Sequence, residues 1–109
     1  MGRAAILTAA LIALCAPALA QAGGDTELGR AKSTTCTACH GPDGRGTAPN
    51  YPVLAGQYEE YLAYALTQYR SGERKNAIMA GFAANLSDDD IADLAAWYAS
   101  MEGLKTARR

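Results

Sequence analysis

Histidine occurs once in these 109 residues, as do tryptophan and phenylalanine, and cysteine and methionine occur three times each. Each scarcity excludes something. A structural zinc site takes four Cys or His ligands, and that number cannot be collected here once the leader described below is removed. Small exported domains are commonly held by several disulfides. Two cysteines that lie two residues apart close almost no loop and add little stability. No stretch alternates apolar and polar residues with a period of two, so strands are not expected. Ten Lys and Arg balance eleven Asp and Glu, a net charge of −1. No basic patch is interleaved with aromatics, which leaves nucleic-acid binding without support. No internal repeat or low-complexity tract is present.

What is present begins with a leader. One positive charge, Arg3, precedes an apolar run from Ala4 to about Ala20, and "ALA" at Ala18–Ala20 is a small-x-small cleavage site. "AQA" at Ala20–Ala22 is a second option. This is the pattern of a secretory signal peptide over residues 1–20, with cleavage at 22 as the variant. The alternative is a transmembrane anchor, but the run is at the short end of the roughly 20 residues a span needs, and Pro17 interrupts it. Cys15 follows the bulky Leu14, where a lipoprotein site wants a small residue, so it belongs to the discarded segment. The mature chain then holds roughly 90 residues, a size at which only about 60–65% of the unfolded surface is buried and outside help is usual.

The remaining chain divides into helices and two connecting segments. "DTELGRAKSTT", Asp25 to about Thr35, reads as a short helix with Asp25 as its N-cap. Gly41 to Gly56, "GPDGRGTAPNYPVLAG", is too rich in glycine and proline for a helix or a central strand. A loop this long in a small domain is usually functional. Tyr58 to Ser71 is helical, with Tyr58, Tyr61, Leu62, Ala65, Leu66 and Tyr69 on one face, and Gly72 is a natural stop. Glu73 to Leu86 is a second connection with a turn of helix near Ala77–Ala84. Ser87 caps a last helix, whose Asp88, Asp89 and Asp90 suit the positive end of its dipole. Ile91, Leu94, Ala95, Tyr98 and Met101 form its stripe, and Gly103 ends it. The domain is therefore all-α over residues 23–104, with a tail at 105–109. Three main helices and a short one have little core of their own.

"TTCTACHGPDGRG", Thr34 to Gly46, carries the chemistry. Cys36-Thr37-Ala38-Cys39-His40 is C-x-x-C-H, the attachment signature of c-type haem. Each thiol adds to one vinyl group of the porphyrin and becomes a thioether. The two-residue spacing lets both sulfurs reach neighbouring rings, and His40 is then delivered to the iron. A thioredoxin-like redox motif wants a βαβ setting that is absent. A plain disulfide leaves the small core unexplained. One covalently bound haem c supplies the missing apolar surface, and the long loops become its walls.

Histidine is excluded by count as the second axial ligand. Methionine is the usual partner in a high-potential carrier. Met1 leaves with the leader, and Met101 reads as a packing residue of the last helix. Met79 lies in the irregular segment between two helices, where a loop can cross the iron. Met79 is the expected sixth ligand, with Met101, a lysine or an open position as the other readings.

The chain from Asp25 to Met101 resembles the class I bacterial cytochromes c, especially soluble mono-haem carriers and single domains of tandem di-haem carriers. The resemblance rests on the C-x-x-C-H-G box, a P-x-L-A-G-Q segment from Pro52 to Gln57, Met79 seven residues before Leu86-Ser87, and the aromatic pair Trp97 and Tyr98. It implies the small class I cytochrome c fold, thioethers at Cys36 and Cys39, and His40 and Met79 on the iron. It also implies that Gly29 lets the first helix cross the last one closely. In the family a loop proline carbonyl accepts a hydrogen bond from the other nitrogen of the ligand histidine, which fixes the ring. Pro52 matches that position, Pro49 is the runner-up, and a turn-forming role is the plain alternative for either.

The resemblance implies a periplasmic electron carrier, not an enzyme, that exchanges single electrons with redox proteins whose identities the sequence leaves open. It acts as a monomer or in transient complexes, with no membrane span after leader removal. The rivals are a haem subunit of a dehydrogenase, flavocytochrome-like, and a haem peroxidase or gas sensor, which needs an open sixth position. Tyr51, Tyr58, Tyr61, Tyr64 and Tyr69 read mostly as core or half-buried, and one of them is a candidate partner for a haem propionate. Arg70, Arg74 and Lys75 are candidates for propionates or for an acidic partner, with a solvated helix end as the simpler reading.

Overall fold

The computed structural model describes residues 1–2, 12–13 and 23–106. The cleavage sites at Ala18–Ala22, Cys15 and most of the apolar run lie outside the described residues. Five helices follow in order: α1 (Thr26–Lys32), α2 (Thr37–His40), α3 (Glu59–Ser71), α4 (Ala77–Ala83) and α5 (Asp88–Ser100), with a 3₁₀ turn, Ser33–Thr35, joining α1 to α2. Among the described residues there is no strand, and no helix is long and apolar enough to cross a membrane.

The helix ends follow local chemistry. Asp25 caps α1 by accepting from the Leu28 amide, and Asn76 caps α4 by accepting from the Met79 amide. Ser87 and Asp90 form a reciprocal capping box at the start of α5. Such caps satisfy amides that have no partner within the helix and contribute about 1 kcal/mol each. Gly72 closes α3 in the left-handed region with φ 81°. Gly103 does not end α5. The helix stops at Ser100, and Gly103 instead lies where a Cβ would come 2.3 Å from the Ala55 carbonyl oxygen.

Two contacts organise the packing. At the first, α1 crosses α5 at Gly29, where an added Cβ would stand 1.9 Å from the Asp93 carbonyl oxygen and 2.7 Å from the Trp97 Cβ. The neighbour on one side is backbone and cannot swing away, so only glycine permits this approach. The crossing is tied by Lys32, which pairs with Asp90 at 2.8 Å and with Asp93, while the Asp25 amide donates to Asp93 at 2.8 Å. At the second contact, α3 packs on α5 through Leu62 against Leu94, Ala95 and Tyr98, with Leu54, Leu66, Trp97 and Met101 around them. Arg70 locks the end of α3 to the start of α5 by donating to the Leu86 carbonyl and to Asp88. It is a structural tie and not a solvated helix end.

The expected stripe of α3 is narrower than its spacing suggested. Leu62 and Ala65 are buried, but Tyr61 is exposed. Its hydroxyl instead meets Arg74, whose guanidinium lies 4.9 Å over the Tyr69 ring.

The ion-pair cluster fixes a pH dependence. Lys32 holds Asp90 down to about 2 from the usual 3.8 and also lowers Asp93, and both carboxylates raise Lys32 above its usual 10.5. The carboxylates therefore stabilise the fold above about pH 4, and that contribution is lost as the pH falls toward 2. The lysine stabilises it below its unfolded value, and that contribution is lost as the pH rises past it. In thermal unfolding of the haem-loaded protein, Lys32→Met should melt a few degrees below the unaltered chain between about pH 5 and 9. The gap should narrow as the pH falls from about 4 toward 2, and again above the lysine range. A gap independent of pH would mean that Lys32 acts through packing alone.

Candidate haem-binding site

Cys36, Cys39 and His40 share one short helical turn. Cys36 is the N-cap of α2, and the His40 and Cys39 amides turn back to its carbonyl at 3.0 and 3.4 Å. Helical spacing of three and four places both sulfurs and the imidazole on one face of that turn. The two thiols are not joined, and both are half-buried. Burial raises the Cys36 thiol above its usual range, while the hydroxyls of Thr35 and Tyr98 beside it pull the other way.

The loop from Gly41 to Gly56 folds back over this turn and satisfies its last carbonyls. The Gly46 amide donates to His40 at 2.7 Å, and the Thr47 amide and hydroxyl both donate to Cys39. Gly46 sits at φ 83°, and a Cβ there would come 2.5 Å from the Tyr51 carbonyl, so the fold-back requires glycine. Its far end is stapled to α5 by the Gly56 amide on the Tyr98 carbonyl.

The fold-back delivers Pro52. Its carbonyl oxygen lies 3.0 Å from Nδ1 of His40, a ring only 6% exposed. A carbonyl only accepts, so Nδ1 carries the proton and the lone pair is left on Nε2.

The two candidate methionines stand in different settings. Met101 packs against the buried cluster of α3 and α5, and a Cβ on Gly44 would lie 3.0 Å from its sulfur. Met79 is half-buried and lies outside that cluster. Met79 sits in the first turn of α4, which coincides with the turn of helix expected near Ala77–Ala84 within the second connection. Asn76 accepts its amide hydrogen and so nucleates a helix from "AIMAGFA", which contains no strong helix breaker apart from Gly81. A capped helix holds the side chain at a more definite position than an open loop does. Of the lysines, Lys32 is committed to Asp90 and Asp93.

These residues fit an iron porphyrin. α4 packs on α3, and α2 packs on the 3₁₀ turn before it, with no extensive contact between α2 and α4. Ile78, Phe82, Tyr61 and Tyr64 remain exposed on α4 and α3. A neutral imidazole and a methionine thioether form a donor pair that suits haem iron and not a hard cation, and the two free thiols are left to bond the porphyrin.

An all-α domain with C-x-x-C-H on a helical turn, the histidine ring fixed from behind, and a methionine on a separate helix defines a c-type cytochrome. The chain belongs to the cytochrome c family, whose model matches residues 26–102. It is similar to cytochrome c4 of Pseudomonas aeruginosa, 45% identical over 97 residues that cover 89% of this chain and 48% of that protein. It is also similar to cytochrome c-554(548) of Halomonas halodenitrificans, 51% identical over 82 residues, 72% of this chain and 99% of that one. Among solved structures, reduced recombinant cytochrome c4 from Pseudomonas stutzeri superposes with a TM-score of 0.70 at 42% identity, over 74% of this chain and 47% of that one. The chain thus spans about half the length of these cytochrome c4 relatives. These relatives are named as cytochromes, and haem c, the cofactor of the family, is bound covalently through Cys36 and Cys39.

The sequence reading missed Asp93 and the Tyr98 hydroxyl. Asp93 lies among the apolar positions of α5, yet it is only 7% exposed. An acid one position before Leu94 in an apolar stripe is the one mark of it in the sequence, and it does not say where the partner lies. In the sequence, Tyr98 shows only as a packing ring of the α5 stripe.

Replacing either Cys36 or Cys39 by Ala should leave little stable holoprotein after export. One thioether is lost, and with it much of the retention of haem. A denaturing gel stained for haem peroxidase activity measures this. Extraction of haem from the unaltered protein by acid acetone would contradict covalent attachment.

Proposed function

We propose that this chain is a periplasmic mono-haem c-type cytochrome that carries single electrons between redox proteins. His40 and Met79 serve as axial ligands and Pro52 as the group that orients His40. The observation that carries the reading is the 3.0 Å contact between Nδ1 of His40 and the Pro52 carbonyl. It leaves one nitrogen, Nε2, for a metal, holds the ring at one angle and raises its basicity.

Haem iron, when bound, changes between ferric and ferrous states with no bond made or broken in a substrate. The residues of the chain keep that change small in structural terms. Cys36 and Cys39 tether the group to α2, and burial of His40 keeps water from that side. Met79 offers a neutral, soft thioether that favours the reduced metal and raises the potential relative to a second histidine. Residues 1–20 act as the export signal in this reading, and the domain begins near residue 23. Docking to donor and acceptor proteins is small and brief, as redox encounters usually are.

Two measurements test the reading. The intact mass of protein recovered from the periplasm should match a chain starting at Gln21 or Gly23 plus one haem, and retention of residues 1–20 would remove the export signal from the proposal. In the oxidised protein, the weak far-red sulfur–iron charge-transfer band should be present. It should vanish in Met79→Ala, with a lower potential and carbon monoxide binding to the ferrous form. Met101→Ala should keep the band and lose only stability, toward the lower end of roughly 2–5 kcal/mol because Met101 is half-buried. The band surviving in Met79→Ala and vanishing in Met101→Ala would reverse the ligand assignment.

A further inference from the structure

Tyr98 is 4% exposed, and its hydroxyl makes no hydrogen bond among the described residues. Buried hydroxyls are almost always partnered, so an orphan asks what it was placed to meet. The ring is held on three sides. It belongs to the cluster with Leu62, Leu94 and Ala95, and Gly44 closes over it, where a Cβ would lie 3.1 Å from Cδ1. Cys36 packs against the same cluster. The polar side chains beside the hydroxyl are the Cys36 thiol and the Ser33 hydroxyl. Ser33 spends its own proton on the Arg30 carbonyl at 2.8 Å. Cys36 is the group the cofactor changes.

We propose that the Tyr98 hydroxyl donates a hydrogen bond to the sulfur of Cys36 once that sulfur is a thioether, positioning the first attachment point and biasing the haem toward its reduced state. This rests on the haem reading above. A thioether has no proton of its own and can only accept, weakly. The phenol has a proton and no other committed acceptor. The haem propionates are at the edge of the porphyrin opposite the thioethers, so they do not compete for a hydroxyl beside Cys36. Drawing electron density toward the sulfur withdraws it from the porphyrin, which favours the ferrous form. Because the Tyr98 hydroxyl is buried, the bond acts in a lower dielectric than water, where its electrostatic effect is larger.

The test is Tyr98→Phe in the haem-loaded protein, which keeps the ring and removes only the hydroxyl. The preference for ferrous over ferric should fall by about twofold to fivefold, where a tenfold change is 59 mV for one electron. In resonance Raman spectra the carbon–sulfur stretch of one thioether should move, with the far-red band unchanged. Ser33→Ala should move neither. An unchanged potential and stretch in Tyr98→Phe would overturn the proposal, as would a shift in Ser33→Ala alone. If Tyr98→Phe does not load haem, the unaltered holoprotein is exchanged into heavy water. One carbon–sulfur stretch should shift with the exchangeable proton, and no shift overturns the proposal. A haem-stained denaturing gel on the same samples separates the two readings. Loss of covalent haem from the unaltered protein defeats the haem assignment, whereas covalent haem with an unchanged potential defeats only the hydrogen bond.

Discussion

At Gly29 the backbones of α1 and α5 approach so closely that no side chain fits between them. The position of α2 depends on this crossing, because only the three-residue turn Ser33–Thr35 separates the end of α1 from Cys36. Where α1 lies on α5 therefore decides where both sulfurs and His40 lie. The lysine that ends α1 and the two acids of α5 hold the register of the crossing. One of those acids, Asp90, also completes the capping box of α5. A single carboxylate thus starts one helix and anchors another.

The site is assembled from the loop as much as from the helices. Gly41 to Gly56 satisfies the carbonyls of α2, presents Pro52 to His40 and closes over Tyr98 and Met101. A loop with so many commitments cannot vary freely in length, which explains a long irregular stretch in a chain with so little core. α4 stands apart on α3, carrying Met79 on a helix fixed by its own cap. Its separation from α2 keeps the two proposed iron ligands on different supports.

Legibility differed by residue. The caps at Asp25 and Ser87, the stop at Gly72 and the all-helical class follow from local rules, because each satisfies backbone groups within a few residues of itself. The C-x-x-C-H spacing is legible because covalent chemistry requires it whatever the fold. Asp93 was not legible: its partner, Lys32, is 61 residues away in sequence. Tyr61 was misplaced because helical spacing says which residues share a face but not how wide a strip the neighbouring helix covers. The short helix that carries Met79 matches the turn expected near Ala77–Ala84, but its cap, Asn76, shows only in the structure.

By itself the sequence determined the main helices, the haem attachment residues and the short set of candidate ligands, since these depend on neighbours in the chain or on the count of residue types. Only the tertiary structure decided which proline carbonyl meets His40, which methionine packs against the core, and that a tyrosine hydroxyl lies unpartnered beside Cys36. Those outcomes depend on where a glycine crossing and a folded-back loop bring distant atoms together, and no local pattern encodes a distance between residues that are far apart in the chain.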